Sequence, residues 1–179
     1  MTATSSPPAN PRAAADTANR SIRTIAFQLG SLDIALRIEA VQRVFSRVPI
    51  YSSGTNSSGV AHVNAQSDSP ESQQEVVVFD LHRYLFGQSL PLASPELEAP
   101  VSRYLLVAKS PSGQSCGIPL EQEPSLMELP LSSIRQLPET YRQADTLGIA
   151  SHVATSDRHG RQQTVFLLDM DAVLTLLPR

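Results

Sequence analysis

Two stretches of this chain follow one order: an apolar run, an aspartate, then a short helical face. Val76-Val-Val-Phe-Asp80 leads into Leu81, Tyr84 and Leu85, with Gly87 behind them. Val165-Phe-Leu-Leu-Asp169 leads into Met170, Val173, Leu174 and Leu177. Apolar runs this short, bounded by turn formers, read as buried strands. An aspartate at such a boundary accepts a hydrogen bond from a free N–H of the following helix, so Asp80 and Asp169 are expected to be structural N-caps. Gly87 suits the left-handed residue that ends a helix. Helices this short serve as connectors between strands, and the chain is expected to be all-β with short helices.

The remaining segments fit that frame. Ile22 to Leu29, Gly30-Ser31 and Leu32 to Ile38 read as a hairpin, and Ile38, Val41, Val44 and Phe45 switch to the spacing of a helical turn. In the second half, Tyr104 to Ala108 and Cys116 to Leu120 flank a turn at Pro111-Ser112-Gly113. Leu147 to Ala154 and Thr164 to Leu168 flank another at Asp157 to Gly160. Residues 1–20 carry Pro7, Pro8 and Pro11 with little to bury and are expected to form a disordered tail. The folded part then runs over 21–178, with a first lobe at about 22–87, a Pro-rich connector at 88–100 and a second lobe at 101–177. Pro49 to Glu75 is polar, holds seven serines and lacks Lys and Arg, with a short strand expected at Val60 to Val63.

Composition narrows the function. Of the 14 Lys and Arg residues, Lys109 is the single lysine, and the arginines are scattered rather than striped among aromatics. With a net charge of −3, the footprint of a nucleic-acid binder is missing. A lone cysteine, Cys116, excludes an internal disulfide and a Cys-rich metal site, and it reads as a small buried strand residue. No apolar run approaches the roughly 18 residues that cross a bilayer, and 1–20 lacks the apolar core of a secretory signal, so the cytoplasm is the expected compartment. Among His62, His82, His152 and His159, no two sit four apart on a helical face. His152, Asp157 and His159 flank one turn, where a metal or acid–base site competes with plain solvated turn residues. Glu121 and Glu123 read as solvated loop charges, and no phosphate loop, nucleophile elbow or dinucleotide fingerprint is present. No enzyme activity, cofactor or metal is expected.

The ordered string of signals resembles the CheW family of chemotaxis coupling proteins over about Ile22 to Leu177. The matching stretches begin with Phe27-Gln-Leu-Gly30, Ile34-Ala-Leu-Arg-Ile-Glu-Ala-Val-Gln-Arg-Val-Phe45, Pro49 and Gly59-Val60. They continue with Val76-Val-Val-Phe-Asp-Leu81, Phe86-Gly87, Tyr104-Leu-Leu-Val-Ala108, Gly117-Ile118, Leu147-Gly-Ile-Ala150 and Val165-Phe-Leu-Leu-Asp169. The resemblance implies two five-stranded Src-homology-3-like barrels packed around a shared core. It also implies a non-catalytic adaptor between the cytoplasmic tip of methyl-accepting chemoreceptors and the regulatory domain of a chemotaxis-type histidine kinase. Val41 and Gly59 fall at family receptor-groove positions, with Val44 and Val60 as neighbours, and Arg43 is the kinase-side candidate. Recruitment to membrane-bound receptor arrays, without insertion into the bilayer, would follow.

The sequence also departs from the family pattern. Gly59 is followed by Val60-Ala-His-Val-Asn64 where an Asn-Leu-Arg-Gly motif is usual, Arg43 replaces an acidic residue, and Val77 stands where proline is common. Pro119-Leu120 occupies the place of a Val-Asp pair. A specialised partner, in chemotaxis or in pilus-based motility or phototaxis, is the expectation. The alternatives are a decoupled relative that binds only the kinase, and a small metal-dependent hydrolase built on His152, Asp157 and His159.

Overall fold

The computed structural model describes residues 20–52, 58–64, 73–88, 101–143, 147–158 and 160–177. The chain opens with the expected hairpin, β1 (Ser21–Leu29) and β2 (Leu32–Arg37), turned at Gly30 with φ of 55°. A 3-10 turn over Ile38–Ala40 leads into β3 (Val41–Ser52), followed by β4 (Ser58–Asn64) and β5 (Gln73–Phe79). Helix α1 (Leu81–Phe86) follows, then the hairpin β6 (Val101–Lys109) and β7 (Ser115–Leu120). Strand β8 (Ser125–Pro130), a 3-10 turn (Leu131–Ser133) and β9 (Ile134–Gln136) come next, then α2 (Glu139–Gln143). Strands β10 (Ala150–Arg158) and β11 (Arg161–Leu168) and helix α3 (Met170–Thr175) complete the fold.

Strands β3-β4-β5-β7-β6 close into a five-stranded barrel, and the others form a sheet in the order β8-β1-β2-β11-β10-β9. The two edges of that sheet, β8 and β9, are halves of one strand bent at Leu131–Ser133. The sheet therefore curls on itself, with β8 on β1 and β9 on β10. Its order then repeats that of the barrel: β8/β9 answers β3, β10 answers β4, β11 answers β5, β2 answers β7 and β1 answers β6. Even the parallel pairing recurs, Val78 with Gly117 in the barrel and Val165 to Leu167 with Asp33 to Ala35 in the sheet. This is the all-β, two-barrel architecture the sequence led us to expect.

Sheet membership does not follow a cut at 88–100. Hairpin β1–β2 lies in the sheet built from the later strands, and β6–β7 completes the barrel begun by β3 to β5. The lobes expected at about 22–87 and 101–177 thus each contribute a hairpin to the other's sheet. The reason lies in the faces of those hairpins, which are apolar on both sides. On β1, Ala26 faces the core of the sheet, whereas Phe27 and Leu29 join Ile34, Leu106, Ile118, Leu168 and Val173 in a core shared by the two units. On β6, Leu105 and Val107 fill the barrel while Leu106 and Ala108 join the shared core. A strand covered on both faces satisfies more of its apolar surface than one facing water.

Candidate partner-docking site

Strand β3 carries three of the expected site residues and is shaped by two irregularities. The spacing of Ile38, Val41, Val44 and Phe45, expected to be a helical turn, is only a 3-10 turn at Ile38–Ala40; from Val41 onward the chain is extended. The register against β6 shifts between Val41 and Arg43, a β-bulge with Gln42 as the extra residue. Because of that bulge, Val41 and Val44 point to the same face although three positions separate them. They pair with Ala108 and Leu106, two members of the shared core. Val41 packs against that core, and Val44, 37% exposed, sits at its rim. Arg43 and Phe45 face the barrel side, the guanidinium carbon 5.6 Å from the ring centroid. Together with Val63, Val76 and Val107 they line a cavity of about 280 Å³ at the barrel mouth. Further along, Arg47 takes φ of 54°, the left-handed region that non-glycine residues seldom occupy. Beyond that bend β3 pairs with β4.

Gly59 and Val60 lie on β4, in register with Ser52 and Tyr51. Val44 and Ser52 are eight positions apart on β3, so the expected groove residues form two groups rather than one: Val41 with Val44, and Gly59 with Val60. The second group belongs to a row that the sequence reading missed. Tyr51 pairs with Val60 and Val60 with Val77, which aligns three outward apolar side chains across three strands. Tyr51 is 53% and Val77 45% exposed. His62, one step along, stacks edge-on to Tyr51 with centroids 5.7 Å apart, and its Nδ1 is 3.9 Å from Glu75. At its far end Val77 borders a cavity of about 660 Å³ with Ser115, Asp171, Leu174 and Leu177.

Leu174 and Leu177 therefore edge an open groove, while Met170 and Val173 on the same helix are buried. Val77 was hidden in the sequence by its neighbours: within Val76-Val-Val78 nothing distinguishes the exposed middle residue from the two buried ones. The signal that could have found it is the pairing of Tyr51 with Val60, which needs the β3–β4 register.

The two aspartates act as caps. Asp80 Oδ1 accepts from the Arg83 N–H at 2.9 Å, and Asp169 Oδ1 accepts from Asp171 and Ala172 N–H at 3.0 and 3.3 Å. Of the three residues of the hydrolase alternative, the structure describes two. His152 is exposed, with Nδ1 2.9 Å from the Ser151 hydroxyl oxygen; Asp157 lies five residues further along β10, and His159 lies outside the described residues. Among the described residues, no three His, Cys, Asp or Glu side chains come together as a metal site. Burial pushes the Cys116 thiol up to about 12, so near neutrality it carries a proton and is no nucleophile. Among the described residues no helix is long and apolar enough to cross a membrane.

No protein-family model matches the sequence, and no curated protein matches it. This architecture defines the class: a two-barrel β fold with a shared apolar core. The scaffolding protein TtCheW from Thermoanaerobacter tengcongensis is similar, with a TM-score of 0.57 and 15% identity, over 84% of this chain and 92% of that one. The chain has a divergent CheW-like fold.

Proposed function

We propose that this protein is a non-catalytic adaptor of chemosensory signalling that couples chemoreceptors to a chemotaxis-type histidine kinase. The observation that carries the reading is the likeness in fold to a scaffolding protein over 84% of this chain and 92% of that one. Physically, such a protein offers rigid docking faces rather than a reacting group. Val41 and Val44 at the junction of the two units, and Gly59 and Val60 on the barrel, are the receptor-side contacts. Arg43, at the barrel mouth beside Phe45, is the kinase-side contact, where a planar guanidinium can meet a partner carboxylate.

Calorimetric titration of the full chain with the kinase regulatory domain tests the proposal. The expected result is saturable binding in the micromolar range, with a modest interface at the low end of about 1,200–2,000 Å². Substituting Arg43→Glu is expected to weaken it at least about tenfold, the scale of a lost close charge pair. No binding at high micromolar concentration contradicts the adaptor reading.

A second reading is favoured by the separation of Val41 and Val44 from Gly59 and Val60. In it the chain binds the kinase and has lost ordinary receptor recognition. Restoring an arginine in the segment from Gly59 to Asn64 separates the two: receptor binding gained by the change supports this second reading.

A further inference from the structure

The barrel face that carries Val60 combines an apolar row with exposed carboxylates among its described residues. Tyr51, Val60 and Val77 lie side by side across β3, β4 and β5. From the first to the third is two strand spacings, about 9.6 Å. Positions i and i+7 of an α-helix are separated by about 10.5 Å along its axis, so one helix laid across the strands can set successive apolar residues on all three. The row continues at Val77 into the groove edged by Leu174 and Leu177. Among the described residues, the carboxylates of this row and groove are Glu75, beside His62, and Asp171, both exposed. From Val48 to His82 the sequence has no Lys or Arg. Lys109, across from Ser115, lines a different cavity with Arg37 and Glu39.

We infer that this face docks an amphipathic helix whose apolar stripe is flanked by Lys or Arg. The inference rests on the adaptor reading and deepens it by naming the chemistry of the partner at the Val60 face. The apolar row supplies the adhesion, and the acidic rim selects the sign of the partner's flanks, because like charges facing each other are disfavoured.

The test uses the full chain and two synthetic peptides of about 18 residues, long enough for helix formation. Both carry the same leucine stripe; one has lysine and the other glutamate beside it. The lysine peptide is expected to bind about tenfold more tightly at low salt, and the gap to narrow as salt screens the rim. Amide shifts should centre on Val60, Val77 and Leu174. Glu75→Lys, at a solvated strand position, should abolish or invert the preference, and Val77→Gln should weaken both peptides. Equal affinities, no binding by either peptide, an unchanged preference in Glu75→Lys, or self-association of the chain through the same amides would each overturn the inference. The kinase titration involves neither peptide. Kinase binding with indifference to the peptides therefore removes only this partner chemistry, whereas loss of kinase binding removes the adaptor reading itself.

Discussion

Gly30 joins two parts of the molecule by lacking a side chain. It turns the β1–β2 hairpin at φ of 55°, and a Cβ there would lie 2.9 Å from Cε2 and Cζ of Phe86. Phe86 ends α1 and lies against His82, the rings tilted at 48° with centroids 4.9 Å apart, so the tip of the hairpin sits against the helix that follows β5. Gly30→Ala is expected to cost about 1 kcal/mol, chiefly from the left-handed backbone, with a smaller part from displacing the exposed end of the Phe86 ring. Urea unfolding of Gly30→Ala in wild-type and Phe86→Ala backgrounds separates the parts, since only the smaller one disappears when the ring is removed. A cost below about 0.5 kcal/mol in the wild-type background would contradict this placement of the hairpin. The turn itself was legible, because Gly-Ser between two apolar runs signals a hairpin. The ring beneath it was not, since Phe86 is 56 positions away and no local pattern couples the two.

At the scale of elements, the two capped helices are the clearest case of local chemistry deciding local structure. Asp169 accepts from two N–H groups and Asp80 from one, and α1 has Gly87 in the left-handed region at its end. Asp80→Ala and Asp169→Ala are each expected to lower stability by about 0.5–2 kcal/mol, with the corresponding asparagine variants losing less. Thermal or urea unfolding checks this, and alanine variants as stable as the wild type would contradict the capping role. These elements were legible because the cap, the apolar run and the stop signal are contiguous. Strand β3 was not: its bulge puts Val41 and Val44 on one face at a spacing that imitates a helix, and only pairing with β6 tells the two apart. Strand β8 was hidden between Pro124 and Pro130, yet its residues pair with β1 from Ser21↔Pro130 to Ala26↔Ser125. The apolar row across β3, β4 and β5 was only half legible, since Val60 stands in a stretch that resembles the family whereas Tyr51 and Val77 join it only through register.

For the molecule as a whole, the exchanged hairpins matter most. Each sheet is completed by strands from the other half of the chain, and the shared core draws Phe27 and Ile34 from one hairpin and Leu106 and Ile118 from the other. The architecture was expected from the order of signals along the chain. The exchange was not, because a hairpin apolar on both faces fits either unit, and only the long-range parallel pairings of β2 with β11 and β5 with β7 decide. One consequence bears on the proposed function: Arg43 and Val44 on β3 and Val60 on β4 belong to one closed barrel, so the faces around them keep a constant relation. An adaptor needs that rigidity to hold two partners at once. The most direct measurement is a three-component co-sedimentation with a receptor cytoplasmic fragment, the kinase and this chain. The kinase should sediment with the receptor fragment only when the chain is present, and Arg43→Glu should release the kinase while leaving the chain on the receptor. A kinase that sediments equally with and without the chain, or a chain that remains in the supernatant in every mixture, would contradict the coupling role.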